Sequence, residues 1–244
     1  MLDRNDPAAR PAAAAPPIPA GVALGTWSIA WAVGAIVVTP LLIVAAGASI
    51  GDDLTIPQLG LATLGAWAVF AAALVLVSRR FGTGDVAADL GLAVRPVDLI
   101  GVPVGVATQF LLIPALYWPL RELWPDTFDP ARLEERAQEL ADKAGGFDTV
   151  LLVLVVVVGA PIVEELVYRG LVQRSLSTAV GASAGLLLTA ILFAIIHFSP
   201  VEYPGLFLAG LVFGGCLTVT GRLGTAIVTH AAFNAAGLVT VLWW

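Results

Sequence analysis

A few ionisable side chains interrupt long apolar runs of this chain, and they have the types and spacing of a hydrolytic site. The first group is Glu164, Glu165 and Arg169, within VVVVGAPIVEELVYRG. On a helix, Glu165 and Arg169 stand at i,i+4 with the acid first, the favourable order for an ion pair. Glu164 is rotated by about 100° from Glu165, so the same arginine serves it less well. A carboxylate left without a cation in poorly solvated surroundings is suited to accept a proton near neutral pH. Glu164 is therefore the expected base, and Glu165 the expected structural partner of Arg169. The second group is Phe193 and His197, within LLLTAILFAIIHF. The third is His230 and Asn234, again i,i+4 and so on one helix face. Both can donate hydrogen bonds, which suits a developing oxyanion. Plainer explanations stay open for each group. The glutamates could sit at a membrane interface beside Arg169 and Arg174, and His230 with Asn234 could simply join helices.

The elements that would position these groups are apolar helices. The chain is 59% hydrophobic and 12% charged, with a mean hydropathy of +0.92. An ordinary soluble domain carries roughly a quarter charged residues, and disorder needs low hydrophobicity with high net charge; both are excluded. Apolar stretches of about 20 residues recur, each long enough to cross a hydrocarbon core about 30 Å thick. The fold class is all-α, a polytopic transmembrane helical bundle of about seven spans. These are expected over 22–46, 56–78, 97–120, 149–172, 180–198, 204–220 and 224–243. A short helix outside the hydrocarbon is expected over 130–144, with Pro130 at its first turn and Gly145 at its stop. Three parts follow: a Pro/Ala-rich disordered cytoplasmic tail over 1–20, scaffold spans with an acidic loop over 21–148, and a core carrying the three groups over 149–244. The first three spans hold no ionisable residue at depth and read as scaffold. Two GxxxG pairs, Gly181 with Gly185 and Gly210 with Gly214, would let helices approach closely.

The net charge of -6 says little about partners, and no basic tract points to nucleic acid. The single cysteine, Cys216, forbids an intrachain disulfide and any paired-cysteine metal site. Arginine outnumbers lysine 11 to 1, a bias of GC-rich bacterial genomes, so a bacterial plasma membrane is the expected location. With a cytoplasmic tail, Arg4, Arg10, Arg79, Arg80, Arg95, Arg169, Arg174 and Arg222 fall on one side. Arg121, Arg132, Arg136 and Lys143 fall on the other. That asymmetry favours an N-terminus inside and a C-terminus outside, with Trp243 and Trp244 at the far interface.

Taken together and in order, EExxxR over 164–169, FxxxH over 193–197 and HxxxN over 230–234 resemble the motifs of the CPBP family of intramembrane proteases. That family includes CAAX prenyl endopeptidases and bacteriocin-processing and self-immunity proteins. The resemblance covers about 80 residues, roughly 160–240, and no motif position departs from it. It implies that Glu164 activates a water with help from His197. It implies that His230 and Asn234 stabilise the tetrahedral intermediate, with Glu165, Arg169 and Phe193 in support. Whether zinc takes part is left open. HExxH is absent, and Glu164, His197 and His230 could form a three-ligand site only if their helices converge.

The function expected is hydrolysis of a peptide bond in a membrane-associated or lipidated protein or peptide. The competing reading is a non-catalytic peptide-binding or bacteriocin self-immunity protein. A proton relay or transporter stands third. For the groups to meet at one depth, the fifth helix must begin near Gly185, with 177–185 as a loop. FSPVEYPG after His197 must then be irregular backbone lining a wet cavity. That cavity is expected to open to the cytoplasm, with Glu202 and Tyr203 near its far wall.

Overall fold

The computed structural model describes residues 18–243, with the side chains of Glu134 and Trp243 left out. Most of the expected tail, Trp244 and the Trp243 side chain lie outside the described residues. Ile18, at the end of that tail, is buried in the core. The regular elements described are all helical. They are α1 Ala20–Ala45, α2 Ile56–Phe81, α3 Val86–Leu90, α4 Pro96–Leu123, α5 Pro130–Lys143, α6 Phe147–Val180, α7 Ala182–Ile195, α8 Tyr203–Thr220 and α9 Leu223–Trp243.

Six of these, α1, α2, α4, α6, α8 and α9, are long and apolar enough to cross a membrane. The expectation of about seven spans is corrected at α7. Its 14 residues reach about 21 Å at 1.5 Å per residue, short of a hydrocarbon core of about 30 Å. The loop expected over 177–185 is likewise reduced to one residue. Helix α6 runs to Val180 and the chain turns at Gly181, with φ of 90°, a conformation glycine adopts without steric cost. Gly185 then lies against the end of α6, where a Cβ would come within 2.6 Å of the Ser177 backbone nitrogen. Gly181 and Gly185 thus tighten the α6–α7 hairpin. Gly210 and Gly214 do act across helices. A Cβ on Gly210 would meet Ala190 of α7 at 3.1 Å, and one on Gly214 would meet Gln173 of α6 at 2.4 Å.

Three long helices contain widened turns: Val33–Val38 in α1, Thr108–Leu112 in α4 and Leu154–Gly159 in α6. Each ends just before a proline, Pro40, Pro114 or Pro161. A proline has no N–H for the carbonyl four residues back and its ring crowds that carbonyl, so the ladder slips by one residue. Elsewhere the outer surface is built for hydrocarbon. Ile29, Ile36, Leu41, Leu76, Leu111 and Trp118 are all exposed, an apolar belt that water would not tolerate at this extent.

The two ends of the bundle differ. At one end Asp98 of α4 is buried and receives Arg222 at 2.7 Å, the Thr225 hydroxyl at 2.6 Å and the Arg95 N–H at 2.7 Å. The Leu223 and Gly224 N–H groups bond to the carbonyls of Gly91 and Ala93, so this end is pinned by backbone as well as charge. Arg79, Arg80, Arg95, Arg174 and Arg222 lie here. Arg169 does not, because it is fully buried inside the bundle. Among the described residues the arginine asymmetry therefore narrows to five basic residues against four. The opposite end carries α5. Its Leu133, Ala137 and Leu140 line clefts shared with Phe233 of α9, while Glu135, Gln138, Glu139 and Asp142 face outward. Lys143 ties α5 to Asp53 in the α1–α2 connection.

Candidate functional site

A fourth widened turn, Glu165–Gln173 in α6, is followed by no proline. Such turns inside α-helices recur at functional sites. It holds a polar stripe, Glu165, Arg169 and Gln173, every member buried. Arg169 Nη1 donates to Glu165 Oε1 at 3.0 Å, and Nη2 donates to the Gly210 carbonyl at 3.1 Å. Gln173 Nε2 donates to the Gly214 carbonyl at 2.9 Å. The glycines of α8 therefore do two things: they let α8 come close, and they bare carbonyls that α6 side chains can reach. The Arg169 guanidinium also lies 4.6 Å from the Phe193 ring centre and 5.4 Å from that of Phe213. Aromatic faces are a favourable setting for a desolvated cation.

His230 of α9 reaches into the same cluster. Its Nδ1 lies 2.8 Å from Glu165 Oε1. A carboxylate oxygen accepts, so Nδ1 carries the proton of that bond. The ring stacks on Phe213, with centres 4.4 Å apart and an 18° tilt, and meets Phe193 edge-on at 6.0 Å. Its other nitrogen, Nε2, lies 3.9 Å from Glu164 Oε2. The result is a row: Glu164, His230, Glu165, Arg169. The two adjacent glutamates differ sharply within it. Glu165 is fully buried and its Oε2 has no partner, whereas the Glu164 side chain keeps 28% of its surface exposed.

Glu164 faces a cavity of about 320 Å³ that His197 also lines. Its walls come from α1, α2, α6 and the turn after α7: Trp31, Trp67, Phe70, Tyr168 and Ile196 among them. Helices α1 and α2 are thus more than scaffold, since they supply one wall of the only cavity that holds both Glu164 and His197 among those described. Gly159 makes room for that wall, because a Cβ there would collide with Trp67 at 2.3 Å. His197 follows the last turn of α7. Its Nδ1 is 2.6 Å from the Phe193 carbonyl, an acceptor, so Nδ1–H donates and Nε2 is left for other partners. Phe193 holds the His197 ring edge-on at 4.9 Å.

Asn234 stands apart from this group. It lines a different cleft, with Gln109, Leu140 and Gly237, and its amide donates to the Val156 carbonyl at 2.8 Å. That carbonyl needs it: the Ala160 N–H is bonded to Val155, five residues back, and Pro161 has no N–H to give Val156. Glu202 and Tyr203 do not line the Glu164 cavity. Glu202 lies in the cleft beside Tyr117 and Arg121. The cavity occupies α1 from its middle towards Ala45, the half of the bundle nearer α5.

The zinc set considered from sequence is not assembled. Among the described residues no group of three or more His, Cys, Asp or Glu side chains is placed to hold a metal ion. His230 and His197 each have Nδ1 engaged, one on Glu165 and the other on Phe193. Sequence reasoning missed Gln173, Phe213 and the tryptophan walls. Gln173 was detectable as the third member of an i, i+4, i+8 stripe. Phe213 carries no such signal, since its role comes from the ring it stacks on.

Residues 146–236 match the family model described as type II CAAX prenyl endopeptidase Rce1-like. This part of the chain thus carries an Rce1-like domain, running from the start of α6 into α9. It contains Glu164, Glu165, Arg169, Phe193, His197, His230 and Asn234. No curated protein and no solved structure matches the chain.

Proposed function

We propose that this chain is an intramembrane endopeptidase in which Glu164 activates water against a peptide bond of a membrane-associated protein or peptide. The row Glu164–His230–Glu165–Arg169, with its open end on an aromatic cavity, is the observation that carries this reading. Arg169 offsets the charge of Glu165, and Glu165 in turn fixes the His230 ring. Glu164, the member without that arginine, keeps access to the cavity. The arrangement follows the logic of an acid that orients a histidine towards a reacting centre.

In the step proposed, a water beside Glu164 and His197 gives a proton to the Glu164 carboxylate as its oxygen bonds to the scissile carbonyl carbon. The carbonyl π electrons move to oxygen. His230 Nε2, 3.9 Å from Glu164 Oε2, can share that proton with Glu164 and, while holding it, donate to the oxyanion before the proton returns to Glu164. Collapse of the intermediate breaks the C–N bond, and the departing amine takes the proton held by Glu164. Asn234 acts one step away, holding α9 on α6 at Val156 so that His230 meets Glu165. The family description supports a prenylated or otherwise lipidated substrate terminus, and the apolar walls of Trp31, Trp67 and Phe70 suit a hydrocarbon group.

The test is Glu164→Gln, which keeps shape and hydrogen bonding but removes the base. Membrane peptides from cells carrying either form would be compared by mass spectrometry. Loss of general base catalysis predicts a fall of about 100-fold or more in product peptides. Equal products from both forms overturn the peptidase reading in favour of a peptide-binding protein. A C-terminal reporter settles the sidedness. Reporter activity only outside the cell supports the arginine asymmetry, and reporter activity only inside overturns it.

A further inference from the structure

The turn that follows His197 is irregular: the Glu202 N–H closes it on the Ser199 carbonyl at 2.9 Å and the Tyr117 hydroxyl donates to the Val201 carbonyl at 2.9 Å, while its His197 end is held less closely. Helix α7 ends at Ile195, and the His197 N–H reaches the Ala194 carbonyl at a long 3.3 Å. Phe198 has φ of 52°, the one described non-glycine residue in left-handed backbone. Such a residue persists only where its surroundings hold it. Carbonyls at the end of a helix lack intrahelical donors, and a basic side chain is a favourable partner for them. Here the partner comes from far away in sequence. Arg136 of the extramembrane helix α5 donates from Nη1 to the His197 carbonyl at 3.2 Å. The same nitrogen lies 4.0 Å from Glu202 Oε2. Arg136 thus touches both ends of the 197–202 turn.

The rest of α5 places Arg136 beside that turn. Lys143 pairs with Asp53 at the other end of the helix, and Leu133, Ala137 and Leu140 seat its inner face beside α9. The imidazole of His197 is itself tied to the backbone through Phe193. A shift of the 197–202 turn therefore shifts the ring in the cavity.

We propose that Arg136 is a positioning residue for His197: an arginine outside the membrane sets the orientation of a histidine lining the Glu164 cavity. The role in hydrolysis rests on the function proposed above, but the contact can be tested without it. The chain has two histidines, His197 and His230. Full-length protein labelled with nitrogen-15 in its imidazoles, in phospholipid nanodiscs, therefore gives two sets of ring signals. The expected result is that Arg136→Gln shifts or broadens the His197 signals, leaves those of His230 in place, and that Arg136→Lys restores most of the wild-type spectrum. Unchanged His197 signals in Arg136→Gln overturn the proposal. Equal changes at both histidines also overturn it, since they report general loosening. In a cleavage assay, Arg136→Gln should lower kcat about 3- to 10-fold with KM unchanged, in keeping with a partly exposed contact. If wild-type protein cleaves nothing, the peptidase reading fails while the ring signals still decide the role of Arg136.

Discussion

Replacing Arg169 by Met removes a cation of similar length from the centre of the bundle. Both Arg169 and Glu165 are fully buried, and their contact is 3.0 Å. If this were an ordinary interhelical hydrogen bond in a membrane, its loss would cost about 0.6 kcal/mol. The structure gives a larger expectation. Arg169→Met leaves the buried Glu165 carboxylate without its cation, with only the His230 N–H on Oε1 and no partner on Oε2, and also frees the Gly210 carbonyl. Breaking a buried ion pair from one side costs about 3–5 kcal/mol. Removing both charges costs much less, because no uncompensated ion remains. The expectation is thus that Arg169→Met loses several kcal/mol and that Glu165→Gln added to it restores most of that stability. The measurement is the free energy of unfolding in mixed detergent micelles, for the wild type, both single variants and the double variant. A double variant no more stable than Arg169→Met would refute the reasoning, as would a single-variant loss below about 1 kcal/mol.

Further consequences follow from individual contacts. Gly214→Ala places a methyl 2.4 Å from the Gln173 amide and 2.5 Å from Leu186, so it should cost about 1–3 kcal/mol. Gly215→Ala meets nothing within 4 Å and serves as the neutral control in the same melting experiment. Asn234→Ala leaves the Val156 carbonyl without its donor and should cost about 1 kcal/mol in detergent unfolding; a loss of activity with full stability would instead make Asn234 a catalytic group. Asp89, outside the spans, is pushed up by burial, yet hydrogen bonds from Ser78 and Thr83 outweigh that and hold its carboxyl below the ordinary carboxylate value. Its folded-state affinity for protons is lowered, so its contribution is complete above the ordinary value and fades as pH falls through the lower folded one. The stability gap between wild type and Asp89→Asn should therefore be constant from neutral pH to about 4 and close below it.

Much of the architecture was readable along the chain because the signals are local. Runs of apolar residues announce spans, Pro130 and Gly145 bracket α5, and the i,i+4 spacing of Glu165 and Arg169 brings them together on any near-helical backbone. The glutamates, the histidines and Phe193 were visible as polar or aromatic groups in the wrong solvent. Length and composition alone could not place the end of a helix within an apolar run. The stretch 180–198 is as apolar as its neighbours, yet Gly181 and the left-handed Phe198 cut it to a helix too short to cross.

Sequence determined that this chain lives in a membrane as helices and which side chains must be sheltered there, because hydropathy and helical periodicity act over a few turns. Only the tertiary structure decided which glutamate meets His230, that Asn234 mends a carbonyl left by Pro161, and that Arg136 reaches His197 across 61 residues. Those choices depend on where separate helices end, slip by one residue and touch. They arise from packing between distant segments, which leaves little trace in any single one of them.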